Sequence, residues 1–369
     1  MGFRCGIVGL PNVGKSTLFN ALVASIAAQC ANYPFCTIEP NSGVAPVPDG
    51  RLARLAEIAR SKEIVPTKLE FVDIAGLVRG ASRGEGLGNQ FLANIREVDA
   101  IVHVVRCFDD ADVAHVEGAV DPLRDIGIIE TELMLADMES LQKRLPAMEK
   151  KSRGGDKEAA LAADMAKAAL SELEAGRPAM LAKPDAKDRE RLRAFDMLRL
   201  LTAKPVLYVC NVDEAAAGSG NGYSRAVETA AAGRGCPAVV ISARIEQEIA
   251  LLETEAERNE FLGAVGISET GLSKIIRAGY DALDLITFFT VGPKEAHAWT
   301  VRRGAKAPEA AGVIHTDFQL GFIRAEAISA EDYVECGGER GARDAGRLRL
   351  EGRDYVVGDG DIMHFLFNT

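Results

Sequence analysis

Gly9-Leu10-Pro11-Asn12-Val13-Gly14-Lys15-Ser16 is the stretch on which the fold turns, because it matches the phosphate-binding pattern G-x-x-x-x-G-K-[ST]. Its surroundings fit as well as its letters. Arg4 to Val8 runs into it as a short apolar strand, and Thr17 to Val23 leaves it with helical character. In such a loop the glycines let backbone N–H groups curl around phosphates at a helix N-terminus. Lys15 then reaches the β- and γ-phosphates, and the Ser16 hydroxyl is placed to ligate Mg2+.

The next signal outward is Asp73-Ile74-Ala75-Gly76, which closes the strand Leu69 to Val72. A carboxylate at a strand end facing the phosphate loop can hold the metal, commonly through water, and the Gly76 N–H can sense the γ-phosphate. Asn32-Tyr33-Pro34-Phe35-Cys36-Thr37 lies between the two motifs, where Thr37 completes the Mg2+ shell if the segment is a switch; a plain connecting loop is the alternative. Cys36 reads as a small apolar filler, since no nearby cationic cluster lowers its pKa. After Gly76 comes Leu77, where Ras-like enzymes carry a water-orienting glutamine. Leucine neither donates nor accepts a hydrogen bond, so intrinsic hydrolysis should be slow. His115 is one candidate for the missing contact to water, although a lone histidine is more often structural.

Base choice falls to Asn211-Val212-Asp213-Glu214, just beyond the strand Val206 to Cys210. Guanine-specific enzymes carry N-K-x-D there, with the aspartate accepting from N1–H and the N2 amine. Here the lysine is Val212 and the aspartate is Glu214, which weakens the case for guanine. Ser242-Ala243-Arg244, after the strand Ala238 to Ile241, stands where the last base-contacting loop of such domains is expected.

Strands alternating with helical patterns through the first half imply an α/β domain with a mostly parallel sheet. From about residue 129 to 201 the rhythm becomes helix only. Met134, Met138, Leu141, Leu145 and Met148 repeat at four and three, the spacing of a coiled-coil seam. Ser152-Arg153-Gly154-Gly155-Asp156 breaks it, so two helices should form an antiparallel arm projecting from the sheet domain. Beyond about 281 a smaller mixed domain of the β-grasp kind follows, with strands at Leu285 to Val291, Ala298 to Arg302, Phe322 to Ile328 and Tyr355 to Phe367, and a helix at Pro308 to Val313. The expected domains are therefore 1–280, interrupted by the arm, and 281–369.

A net charge of −11 over 369 residues excludes a chain that coats nucleic acid by bulk attraction. Any RNA contact must be local: Lys143, Arg144, Lys150, Lys151 and Arg153 form one candidate patch, and Arg340, Arg343, Arg347, Arg349 and Arg353 another. Seven scattered cysteines with no C-x-x-C pair support neither a disulfide framework nor a zinc ribbon. With no stretch approaching the length of a membrane span, a cytosolic monomer is expected.

Taken together, GLPNVGKST at 9–17, NYPFCTIEPN at 32–41, DIAGLVRGASRGEGLGNQFL at 73–92, HVVRCF at 103–108 and NVDE at 211–214 resemble the YchF branch of the Obg-like ATPases. The resemblance runs from residue 2 to the C-terminus. It implies a P-loop G domain that prefers ATP to GTP, a coiled-coil insertion, and a C-terminal TGS domain of β-grasp shape. It also implies hydrolysis without the usual glutamine, ATP contacts at Asn12, Val13, Gly14, Lys15, Ser16, Thr17 and the Val212 backbone, and metal ligation by Ser16 and Thr37. His115 falls where that family has a proposed water-positioning histidine, and Asn12 is a candidate for K+ binding. Association with ribosomes and links to translation and oxidative stress follow from the resemblance alone. The rivals are a GTPase of the same fold, a P-loop kinase acting on a metabolite, and a module that holds nucleotide without turnover.

Overall fold

The computed structural model describes residues 3–30, 38–39, 41–74, 87–252 and 254–368. Among them the strands, in chain order, are β1 Phe3–Val8, β2 Ile38–Glu39, β3 Ser42–Pro46, β4 Glu63–Val65, β5 Lys68–Asp73, β6 Ala100–Arg106, β7 Val206–Asn211, β8 Ala238–Ile241, β9 Leu285–Val291, β10 Glu295–Arg302, β11 Phe322–Ser329, β12 Arg349–Glu351 and β13 Asp361–Phe367. The first ten helices are α1 Lys15–Cys30, α2 Gly50–Ala59, α3 Leu87–Glu97, α4 Pro122–Arg153, α5 Lys157–Glu174, α6 Arg189–Asp196, α7 Gly222–Ala232, α8 Ala243–Ala250, α9 Glu255–Ala264 and α10 Gly271–Ala282.

One sheet runs β2-β3-β5-β1-β6-β7-β8, with β5, β1, β6, β7 and β8 mutually parallel and β2 and β3 antiparallel at its edge. Every residue of β6 is buried, as expected of a central parallel strand covered by helices on both faces. This order places the C-terminal ends of β1, β5 and β7 at one edge of the sheet, where ligands bind in open parallel sheets.

The arm emerges between β6 and β7. Asp121 caps α4 by accepting from the Arg124 N–H at 3.1 Å, with Pro122 at the first helical position. The helix therefore starts at 122, seven residues earlier than its heptad spacing indicated, because the cap precedes the seam. Gly154 and Gly155 end it, the latter at φ 90°, and Asp156 caps α5. Leu141 is buried in the seam against Met165, Ala166, Ala169 and Leu170, with Met134, Met138, Leu145 and Met148 packed around it as the spacing requires. The return is pinned from inside: the buried Asp137 carboxylate accepts from the Leu201 and Thr202 N–H groups, each at 2.8 Å, and from the Thr202 hydroxyl at 2.7 Å.

The second sheet runs β12-β11-β13-β9-β10-β4. Its last strand, β4, comes from residues 63–65, far before the expected boundary near 280, and pairs in parallel with β10 from Glu295 to His297. Lys62 and Glu63 donate backbone N–H to the Pro293 and Lys294 carbonyls, each at 3.2 Å. Beside it α2 buries Leu52, Leu55 and Ala56 against Phe289, Ala296, Ala298 and Tyr333, so that residues 50–65 are built into the second domain's core. Two corrections concern the C-terminal strands. The last one begins at Asp361 rather than Tyr355, whose hydroxyl instead donates to Asp361 at 2.6 Å, and the three-residue β12 had no readable apolar pattern. Among the described residues no helix is long and apolar enough to cross a membrane.

Candidate active site

The loop from Gly9 to Gly14 turns sharply between β1 and α1. A Cβ on Gly9 would lie 2.7 Å from the Val104 carbonyl, and Gly14 has φ 90° with Asn211 packed against it, so neither position admits a side chain. Asn12 is also left-handed, at φ 63°, a conformation asparagine tolerates better than most residues. Its amide donates to the Ala114 carbonyl at 3.1 Å.

Lys15 is 9% exposed, and its ammonium is ion-paired with the Asp73 carboxylate. The cation expected to meet phosphate and the acid expected to meet metal thus converge on one point, at the ends of β1 and β5. Ser16 lies beside them on the first turn of α1 and is exposed. Val13 is buried beneath the loop, while Thr17 follows Ser16 on the same turn. Thr37, Gly76, Leu77 and Cys36 lie outside the described residues.

At the base end, Asn211 does something its motif did not announce. Its side chain is buried; Nδ2 donates to the Val13 carbonyl at 2.9 Å, and Oδ1 accepts from the Ala243 N–H at 2.9 Å. One amide therefore ties the phosphate loop to the start of α8. Val212 is buried in an apolar cluster with Tyr208, Cys210 and Val227. Asp213 caps the short turn Glu214–Ala216, accepting from the Ala216 N–H at 3.0 Å, and Glu214 pairs with Arg244 at 3.0 Å. Neither carboxylate in this loop is left unengaged. The Ser242 hydroxyl is buried with no hydrogen-bond partner among the described residues.

His115 sits in the loop between β6 and α4, with its side chain 6% exposed. The Glu117 N–H donates to Nδ1 at 3.1 Å, which makes Nδ1 the acceptor and leaves the proton on Nε2, donated to Asp125 at 2.8 Å. Both ring nitrogens are thus held by the protein in this arrangement. Contact with an attacking water would require one of those bonds to open. Asp125 belongs to the first turn of α4, so the histidine clamps this loop to the base of the arm.

The residue to which sequence reading gave no role is Arg106, at the end of β6 within the HVVRCF stretch. Its side chain is 2% exposed, yet its partners among the described residues are three carbonyls: Nε donates to Phe108 at 3.1 Å, Nη1 to Val113 at 3.0 Å and Nη2 to Asp110 at 3.2 Å. The guanidinium also lies 4.6 Å from the Phe108 ring centroid. A charged residue ending an otherwise apolar strand was the available signal.

Comparison with known proteins agrees with this geometry. A family profile described as 50S ribosome-binding GTPase matches residues 4–136, and the YchF-GTPase C-terminal profile, described as a protein of unknown function, matches residues 285–368. Over 369 residues the chain is 55% identical to the ribosome-binding ATPase YchF of Haemophilus influenzae, and over 371 residues it is 50% identical to that of Bacillus subtilis, with 100% of both chains covered in each case. It is similar in structure to the Schizosaccharomyces pombe YchF GTPase, with a TM-score of 0.84 at 39% identity, covering 99% of this chain and 98% of that one. The bacterial proteins are called ATPases and the yeast one a GTPase.

Proposed function

The chain belongs to the YchF family of P-loop nucleotide hydrolases, and from that premise we propose that it is an ATP-preferring, ribosome-associated switch ATPase of the cytosol. The observation that carries the preference for ATP is the engagement of both base-loop carboxylates, Asp213 by the backbone it caps and Glu214 by Arg244. Guanine needs a free carboxylate for N1–H and the N2 amine, whereas adenine presents an N1 acceptor and no N2 amine. Ser242 and Val212, both buried, add no charge to these two loops, which suits a neutral base edge.

At the phosphate end, Lys15 exchanges its Asp73 partner for phosphate oxygens, which frees the carboxylate to face the metal. A hydroxyl and a carboxylate are hard oxygen donors of the kind Mg2+ takes when phosphates supply the rest of its shell. Ser16 and Asp73, with Thr37, are the residues that hold it, and when bound it neutralises charge on the β- and γ-phosphates. Lys15 and the Gly76 N–H are the groups that meet the transferred phosphoryl, and His115 remains the candidate for ordering water. The Asn12 side-chain oxygen is the proposed K+ contact; equal hydrolysis rates in Na+ and K+ would remove it.

The arm supports the ribosomal part. Over residues 129–201 the arm's charges balance, fourteen Lys and Arg against fourteen Asp and Glu in a chain of net −11, but Lys150, Lys151, Arg153 and Lys157 are exposed together around its glycine turn. The rival patch is largely spent within its own domain: Arg343 pairs with Glu326 and Glu339, Arg347 with Asp332, and Arg349 with Glu351 and Asp361. The arm is therefore the better polyanion contact for a monomer acting on ribosomal RNA.

The deciding experiment is titration of the purified protein with labelled ATP and GTP at equal Mg2+. Tighter ATP binding is expected. Tighter GTP binding would mean that Asp213 or Glu214 leaves its present partner to read guanine, and the ATPase reading would fall.

A further inference from the structure

We propose that Arg106 is a positioning residue for hydrolysis, acting on the phosphate loop through the 107–118 segment rather than by touching nucleotide. Three facts converge on it. A guanidinium 2% exposed is costly to bury, and here, among the described residues, its hydrogen-bond partners are the carbonyls of Phe108, Asp110 and Val113, all in the loop that follows it. The carbonyl immediately after Val113, that of Ala114, is the one that accepts from Asn12 in the phosphate loop. The segment is pinned at its other end by His115 to Asp125 and near its start by the Asn221 amide, which donates to the Cys107 carbonyl at 2.7 Å.

Between these anchors the backbone from Phe108 to Val113 takes its course from Arg106. A planar fork with donors on three nitrogens spans carbonyls five residues apart, which the single ammonium of a lysine does not. Asn12, left-handed and held by Ala114, sets the path of the loop toward Lys15 and Ser16. Loss of the fork should therefore be felt at the phosphates, some distance from the substituted side chain.

The test is steady-state ATP hydrolysis by wild type, Arg106→Lys, Asn12→Gly and the double variant, with thermal unfolding and circular dichroism as controls for folding. Asn12→Gly keeps the left-handed backbone while deleting the amide. Each single variant is expected to lower kcat/KM by about ten- to a hundredfold with a raised KM for ATP, as small misplacements at phosphates do. The double variant should be no worse than the poorer single one, because both changes cut the same connection. A merely structural arginine would instead reduce the active fraction at unchanged KM and multiply with Asn12→Gly. Either that result, or wild-type kinetics in either single variant, overturns the proposal. Should Arg106→Lys not fold, Arg106→Gln, which keeps a neutral donor toward the same carbonyls, takes its place alone and with Asn12→Gly and decides it by the same criterion. The inference rests on the ATPase reading, and the two fail differently: absent turnover by wild type sinks the reading, whereas normal turnover with unaffected variants sinks only the role of Arg106.

Discussion

Lys15 shows how much one side chain carries. Buried against Asp73, it is a cation paired with the carboxylate that, on the proposed reading, would face Mg2+ once phosphate took its place. Lys15→Ala should cost about a hundred- to a thousandfold in kcat/KM, the usual scale for removing one preorganised charge contact, with the far-ultraviolet spectrum unchanged. A retained rate would place the phosphate site elsewhere. Base choice is equally local. Val212→Lys with Glu214→Asp restores the guanine-type letters, and the ratio of ATP to GTP affinity should move toward GTP in parallel titrations. An unmoved ratio would show that the loop's backbone, not its side chains, discriminates.

A third residue-scale effect is titration of His103, buried in β6 beside Tyr208. Burial holds its pKa down at about 3, from an ordinary 6.5. The folded form thus refuses a proton that the unfolded chain accepts, so the stability is complete above pH 6.5 and is lost as the pH falls toward 3. At pH 5 the loss amounts to about 2 kcal/mol. His103→Gln should shrink the difference in urea stability between pH 7 and pH 5 by roughly that amount.

Elements behave as units where a buried polar group ties them. Asp137 joins α4 to the residues entering β7, so Asp137→Ala strands two backbone N–H groups in the arm's core. A loss of about 2–4 kcal/mol is expected in urea unfolding. A change under 0.5 kcal/mol would mean that water replaces the carboxylate. The strand β4 is the other such element. Between the Thr37 segment and Asp73 the chain leaves the first sheet, contributes α2 and β4 to the second, and returns as β5. The residues that lead into Asp73 are therefore covalently continuous with the edge of the second sheet. Hydrogen exchange with and without Mg2+ and ATP should change at residues 61–65 and 293–297 as well as at the phosphate loop. Protection confined to the loop would leave β4 a passive edge.

For the whole molecule, charge is divided unevenly, with a basic cluster at the arm's glycine turn on an acidic chain. Converting Lys150, Lys151, Arg153 and Lys157 to alanine should weaken co-sedimentation with ribosomes and flatten its log–log salt dependence by about 3, while leaving ATP hydrolysis by the free protein intact. Unchanged co-sedimentation would move the contact to another surface. Through Ala114 and His115 the loop after β6 joins the phosphate loop to the base of the arm, and β4 joins the segment leading into β5 to the second sheet.

What the sequence determined by itself is whatever depends on neighbours along the chain. The phosphate loop needs glycine, lysine and serine at fixed spacing, the β6 strand needs an unbroken apolar run, and the arm needs its four-three seam; each is legible because its cause is local. What only the tertiary structure decided is whatever depends on contacts between distant residues. Asn211 reaches Val13 across 198 positions, and the partners of Asp213 and Glu214, the Ala216 N–H and Arg244, are seen only in the folded chain. Glu63–Val65 is too short to declare itself a strand and becomes one only because β10 offers it a ladder. Hydrogen bonds to backbone carbonyls leave no mark in the letters of the acceptors, so the work of Arg106 became visible only once Phe108, Asp110 and Val113 were folded around it.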